Sequence, residues 1–234
     1  MNTIVSLLAL SYFFLVFILV PLFALPTSIV LGLKPAFRLY FKIFTRIGYA
    51  VFGYRVEITA GPSFPKNKTV ILLANHPGYF DPVSINIALP GFYNFVIFGK
   101  SFKNPILLFT LLLIGSVQRK FGDKMNAAKT ILDIIKRINN GDSFILFPSA
   151  FVDNTGGIKN VEQGIYTIIE KTNAQVFPVH FSGGTKFGRN MRPFTSKIII
   201  GDPFERELLL SIKDDYLKKV IMALGQYNNV SKSQ

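Results

Sequence analysis

The sharpest chemistry-bearing stretch of this 234-residue chain is NHPGYFD, Asn75 to Asp81, in which a histidine and an aspartate stand five positions apart. It directly follows the apolar run Val70 to Ala74, and the C-terminal end of a buried parallel strand is where open α/β sheets place their sites. An imidazole there can take a proton from a hydroxyl or an amine. The carboxylate would hold the other ring N–H, fix the tautomer and stabilise the imidazolium. Each residue also has a plainer reading: Asp81 before Pro82 suits a helix N-cap, and His76 alone suits a satisfied turn histidine. Together they favour a His/Asp base dyad without a protein nucleophile, because the chain has no cysteine and no GxSxG elbow.

Other reactive groups are scarce. The second histidine, His180, is expected to be structural within its strand, and with two histidines and no cysteine a metal centre is not expected. Gly99-Lys100-Ser101 is no phosphate loop, since Asn94 stands where its first glycine should be.

The elements that must position these groups alternate short β-branched or aromatic runs with helical patterns from Thr69 onward, the signature of βα units. The expectation is an α/β fold: a mixed, mostly parallel sheet flanked by helices, preceded by an N-terminal hydrophobic membrane helix or helical hairpin. Strands are predicted at 56–59, 69–74, 92–98, 143–147, 175–180 and 197–200. Helices are predicted at 82–89, 105–114, 124–139, 161–172 and 213–227. Asp81-Pro82 and Asn104-Pro105 read as caps with first-turn prolines, and Gly115 and Gly141 as C-terminal glycines. In 124–139 the period of Ala128, Ile131, Leu132, Ile135 and Ile138 predicts one packed face.

Residues 2 to 33 carry no charge, whereas the whole chain has a formal net charge of +13 and is 50% hydrophobic. With a mean hydropathy of +0.38, this excludes a disordered polycation and points to a basic protein on or in a membrane. Pro21 and Pro26 interrupt the apolar stretch, leaving one kinked span or two short helices in one leaflet. Lys34, Arg38, Lys42, Arg46 and Arg55 all precede the first acid, Glu57. Arg38, Lys42 and Arg46 share a helical face, predicting a surface helix with its cations near anionic lipid. The same cations place the domain on the cytoplasmic side. The expected division is a membrane anchor at 1–33, a basic amphipathic membrane-surface helix at 34–55 and an α/β domain at 56–234. Without an aromatic RNA-reading motif or a basic recognition helix elsewhere, nucleic acid is not an expected partner.

From about Val56 to Phe204 these residues resemble the glycerolipid acyltransferases typified by 1-acyl-glycerol-3-phosphate acyltransferase. NHPGYFDP resembles that family's NHxxxxD block. Gly99-Lys100, Pro105 and Gly115 are similar to the stretch leading to a second block, whose arginine would be Arg119. FPVHF, Phe177 to Phe181, resembles the fourth block. Two departures stand out. Arg119 follows Gly115 by four residues where about six is usual, and the third block reads FPSAF, Phe147 to Phe151, where the family has FPEGT or FPEGR. The resemblance implies His76 as base and Asp81 as its partner, with Arg119, Lys120, Lys100 and Ser149 as substrate-binding candidates. It further implies an acyl thioester donor, acyl-CoA or acyl-carrier protein, no separate cofactor, and a lysolipid acceptor in the membrane. The FPSAF departure keeps two alternatives open: an amine or non-phosphate hydroxyl acceptor, or an inactive lipid-binding adaptor. The oligomeric state is not legible.

Overall fold

Val70 to Ala74 are wholly withdrawn from solvent, and the sheet is built outward from that strand. The structure is a computed structural model and describes residues 3–65, 68–98, 105–119, 122–149, 152–153, 155–183 and 194–230. In chain order its elements are α1 (Thr3–Leu31), α2 (Leu33–Val51), β1 (Arg55–Ala60), β2 (Val70–Ala74), α3 (Asp81–Ala88), β3 (Tyr93–Asn94), β4 (Val96–Phe98), α4 (Pro105–Leu113), β5 (Val117–Arg119), α5 (Lys124–Asn139), β6 (Ser143–Leu146), α6 (Gly164–Glu170), β7 (Gln175–Ser182), β8 (Thr195–Ile200), α7 (Arg206–Ile212) and α8 (Asp214–Val230). They fall into two units. One comprises Met1–Arg55, Asn94–Thr130 and Lys186–Phe194, and the other Val56–Tyr93, Ile131–Thr185 and Thr195–Gln234.

The second unit holds the six-stranded sheet, in the order β1-β8-β7-β2-β6-β3. β2 is central and parallel to both neighbours, with Leu72 opposite Ile145 of β6 and Phe177 of β7, and β8 closes antiparallel on β7. A strand covered on both faces must be apolar throughout, which is why VILLA does not alternate. Phe144, Ile145, Phe177 and Phe181 of the flanking strands are likewise buried.

Helix α5 packs on a face rotated from the expected one. Thr130, Ile134 and Ile138 are buried at intervals of four, while Leu132 is 65% exposed and Ala128 is also exposed. Ile131 closes on the start of α6, where a Cβ at Gly164 would lie 2.6 Å from its Cδ1; only a hydrogen allows that approach. Arg137 lies over the Phe144 ring and pairs with Asp142 at 3.0 Å. The expected 161–172 helix begins only at Gly164, and α7 was not foreseen.

In the first unit, α1 runs unbroken for 29 residues through Pro21 and Pro26. Pro21 cannot donate to the Phe17 carbonyl, but that carbonyl accepts the Thr110 hydroxyl of α4 at 3.2 Å. The chain turns at Gly32, where φ is +82°, and α2 returns against α1 as a helical hairpin. Tyr12 donates its hydroxyl to Phe44 O at 2.8 Å, and Phe17 and Phe23 pack on Phe41 and Phe44. The cations of α2 are not all solvent-facing. Arg38 turns inward to donate to Ile114 O at 2.8 Å and Asn94 Oδ1 at 2.7 Å, while Leu39, Ile43 and Ile47 form an exposed aliphatic stripe. Gly115, at φ +109°, lets Asn94 and Arg38 meet, since a Cβ there would lie 2.3 Å from Asn94 Oδ1. The predicted 92–98 strand is split: β3 joins the large sheet, and β4 pairs in parallel with β5, a strand the sequence reading lacked. Asn104, the expected cap of α4, lies outside the described residues.

Candidate active site

β2 ends at Ala74, and the next side chain secures the strand exits. Asn75 is buried and donates from Nδ2 to Gly156 O at 3.0 Å and to Phe181 O at 2.9 Å, while its Oδ1 accepts the Phe181 N–H at 2.6 Å. One amide thereby ties the end of β2 to β7 and to the loop that follows β6.

His76 and Asp81 meet across the turn that follows. Nδ1 of His76 lies 2.9 Å from Asp81 Oδ2, and the same oxygen accepts the Gly78 N–H at 2.9 Å. Both partners precede the helix, so Asp81 does not make the expected N-cap contact. It is itself the first residue of α3, Phe80 takes the cap position, and no side-chain cap bond forms. Asp81 is 1% exposed. Burial raises its proton affinity above the ordinary carboxylate value, opposed by the His76 hydrogen bond and charge and by the Gly78 N–H. With Nδ1–H donated to the carboxylate, Nε2 keeps the lone pair that accepts protons. Among the described residues Nε2 has no hydrogen-bond partner.

The loop after β6 packs on this turn. The Phe147 ring stacks on the His76 imidazole with centroids 3.9 Å apart and planes 18° apart. The Asp153 N–H donates to His76 O at 2.8 Å. Ser149 Oγ accepts the Lys159 N–H at 3.1 Å, and Lys159 Nζ lies 3.2 Å from Asp153 Oδ2.

Of the residues singled out in the sequence, His76 and Asp81 are therefore in direct contact, and Ser149 lies on the loop that touches His76. Arg119 ends β5 in the other unit, opposite Phe98 and half-buried. Lys100 and Lys120 lie outside the described residues. His180 is buried, with Nδ1 3.2 Å from Ile221 O and its ring against Gly225 of α8. Burial lowers its proton affinity, the Ile221 carbonyl acting in the opposite sense. Asn75, Phe147 and Asp153 had been given no role. A signal did exist for two of them, since Asn75 and Phe147 each immediately follow a buried parallel strand.

Comparison with known proteins places these elements. A solved structure, the 1-acyl-sn-glycerophosphate (LPA) acyltransferase PlsC from Thermotoga maritima, has the same fold, with a TM-score of 0.75 over 97% of this chain and 98% of that one at 20% identity. The 1-acyl-sn-glycerol-3-phosphate acyltransferase of Borreliella burgdorferi is 24% identical over 186 residues, covering 72% of each chain. A chloroplastic enzyme of the same name from Brassica napus is 22% identical over 134 residues, which span 57% of this chain and 39% of that enzyme. The Acyltransferase family model matches residues 55–182, more than half of the sequence and the whole of the β2 to β7 segment that carries His76, Asp81 and Phe147. The chain belongs to the Acyltransferase family and is an acyltransferase.

Proposed function

We propose that this acyltransferase moves a fatty acyl group from an acyl thioester, acyl-CoA or acyl-carrier protein, to the free hydroxyl of a lysolipid, with 1-acyl-glycerol-3-phosphate as the acceptor. The observation that carries the chemistry is the short His76–Asp81 contact at the exit of a buried parallel strand. His76 Nε2 takes the acceptor's hydroxyl proton as that oxygen attacks the thioester carbonyl. The tetrahedral intermediate then collapses, and the departing thiolate takes the proton from the imidazolium. Asp81 holds Nδ1–H throughout and offsets the transient positive charge. The names of the curated relatives and the basic character of the chain support this acceptor.

The apolar N-terminal helix is long enough to cross a membrane by length and composition. We place the protein at a lipid bilayer through this helix, with Leu39, Ile43 and Ile47 of α2 and Ile106, Phe109 and Leu112 of α4 adding exposed apolar surface. The cations that follow the anchor favour the cytoplasmic face.

One observation favours a second reading. Where the family has a glutamate and an arginine, this chain has Ser149 to Phe151, and Ser149 Oγ already accepts a backbone N–H. Without charge there, an acceptor lacking phosphate would be tolerated. The test is purified protein in detergent with labelled acyl-CoA and acyl-carrier protein, offered lysophosphatidate, neutral hydroxyl lipids and aminolipids, with Arg119→Ala in parallel. The first reading expects transfer to lysophosphatidate and a fall of at least about tenfold in kcat/KM for Arg119→Ala, the effect of losing a hydrogen bond to a charged group. Transfer only to acceptors without phosphate, indifferent to Arg119→Ala, would establish the second reading.

A further inference from the structure

A general base held by one hydrogen bond is incompletely aimed. The Asp81 contact fixes His76 Nδ1, but the imidazole can still swing about the line joining that nitrogen to the carboxylate, carrying Nε2 through an arc. Productive proton transfer needs the ring plane fixed as well.

The missing constraint is present on the face of the ring. Phe147 stacks on His76 at 3.9 Å and 18°, and Phe181 backs the Phe147 ring at 6.5 Å. Phe181 is buried, and its backbone N–H and carbonyl are both held by the Asn75 amide. Asp153, from the loop that begins at Phe147, donates to the His76 carbonyl. The contacts therefore close a ring from Asn75 to Phe181 to Phe147 to His76, whose backbone adjoins Asn75. Stacking leaves the Nε2 edge clear, covers one face against water, and lays the electron-rich face of a phenyl ring on the imidazole, where an imidazolium would be attracted to it.

We propose that Phe147 is a positioning residue: together with Asp81 it sets the plane of His76 and hence the direction of Nε2. This rests on the reading of His76 as the base. Its consequence is that Phe147 should govern turnover and not substrate affinity.

The experiment measures kcat and both KM values for the full-length protein in detergent, comparing Phe147→Leu and Phe147→Met, which keep apolar bulk, with Phe147→Tyr, which keeps the ring. Histidine ring resonances are followed in isotope-labelled protein. With only two histidines, His76→Ala assigns the spectrum and His180 serves as an internal check on the fold. For the aliphatic variants the expected result is a loss of about 10- to 100-fold in kcat with both KM values within about twofold, the scale of cost for a misaimed catalytic group. Phe147→Tyr should stay within about threefold of the parent, and the His76 ring protons should move downfield in the aliphatic variants as the ring current is removed. Retained kcat in whichever aliphatic variant leaves the His180 resonances in place would overturn the proposal. So would a tyrosine variant as impaired as leucine, or a loss confined to KM. The parallel His76→Ala separates the two levels. If it too turns over normally, the reading of His76 as base has failed, whereas a dead His76→Ala beside active Phe147 variants sinks the positioning role alone.

Discussion

The two histidines of this protein occupy similar places and opposite environments. His76 is the second residue past β2 and His180 lies near the end of β7, two neighbouring parallel strands of one sheet. At His76 the ring nitrogen meets a carboxylate, and a charged acceptor can neutralise an imidazolium. At His180 the ring nitrogen meets a backbone carbonyl under a helix, which orients the ring but carries no charge to offset a proton. Strand position alone therefore does not set the surroundings of a histidine. What distinguishes the two is the chain that follows: a Pro-Gly turn that swings Asp81 back to His76 in one case, and helix α8 lying on the ring in the other.

The largest effect that comparison predicts is on turnover at His76. His76→Ala should lower kcat by about 10²- to 10⁴-fold, the range for lost general-base help, without changing membrane attachment. Steady-state acyl transfer and vesicle co-sedimentation check the two halves. Near-parental turnover would erase the distinction between the histidines.

Asp81→Asn should come next and separates catalysis from folding. Because one carboxylate oxygen takes both contacts, an asparagine oxygen in its place can keep the Gly78 N–H and the Nδ1–H but brings no charge to offset an imidazolium. A fall of about 10²-fold in kcat is expected. Stability should move the other way. Burial raises the Asp81 proton affinity, so the carboxylate's folding contribution is full below its ordinary value of 3.8 and is lost as pH rises through the higher folded value. Asparagine bears no such penalty. At neutral pH the variant should be at least as stable as the parent, and that advantage should shrink on acidification. Chemical denaturation at several pH values reads this directly.

The sequence showed part of this contrast. NHPGYFD marked His76 and Asp81 by its place at the exit of the apolar run Val70 to Ala74 more than by its spacing. It could not show that Asp81 would forgo its cap, since an N-cap and a dyad partner look alike in one dimension. The buried strands were legible because β2, β6 and β7 are apolar on both faces. β5 was not, being three residues long and paired with a strand that the pattern had merged into 92–98. The prolines of α1 left one span or two short helices open, and the choice of one continuous helix has a tertiary side: the carbonyl left without a donor by Pro21 is satisfied by Thr110, 93 positions away. Arg38 misled, since helical periodicity gives its face but not the carbonyl at Ile114 that draws it inward.

A smaller effect is expected where the two histidine neighbourhoods are joined. The Asn75 side chain makes three hydrogen bonds, two of them to Phe181, which follows His180. Asn75→Ala leaves the buried Phe181 N–H without that acceptor and removes both donors to carbonyls. The expected loss is about 2 to 4 kcal/mol of stability, given about 1 to 3 kcal/mol for each buried polar group left unmatched. Asn75→Asp should restore the acceptor for the Phe181 N–H but set a buried carboxylate oxygen against two carbonyls, and so be no more stable than alanine at neutral pH in a denaturant titration. Equal stability of all three would mean that Asn75 does not couple the strand exits.

The smallest effect belongs to His180 and is a matter of pH. Its proton affinity is lowered by burial from the ordinary value of 6.5, so the unfolded chain binds the proton more readily. The stability involved is present above 6.5 and is lost as pH falls through that value towards the lower folded one. His180→Gln removes the titration together with some packing against Gly225. At pH 8 the variant should be less stable by about 1 to 3 kcal/mol, the usual range for a core substitution. On acidification the deficit should narrow by at most about 1.4 kcal/mol per pH unit, the limit for a single proton. Turnover at pH 8 should stay within about threefold of the parent, because nothing in this neighbourhood touches the His76 ring directly. Melting curves from pH 8 to pH 5 give the first two quantities and the acyl-transfer assay the third. A collapse of turnover in a stably folded His180→Gln would show that the two histidines act together.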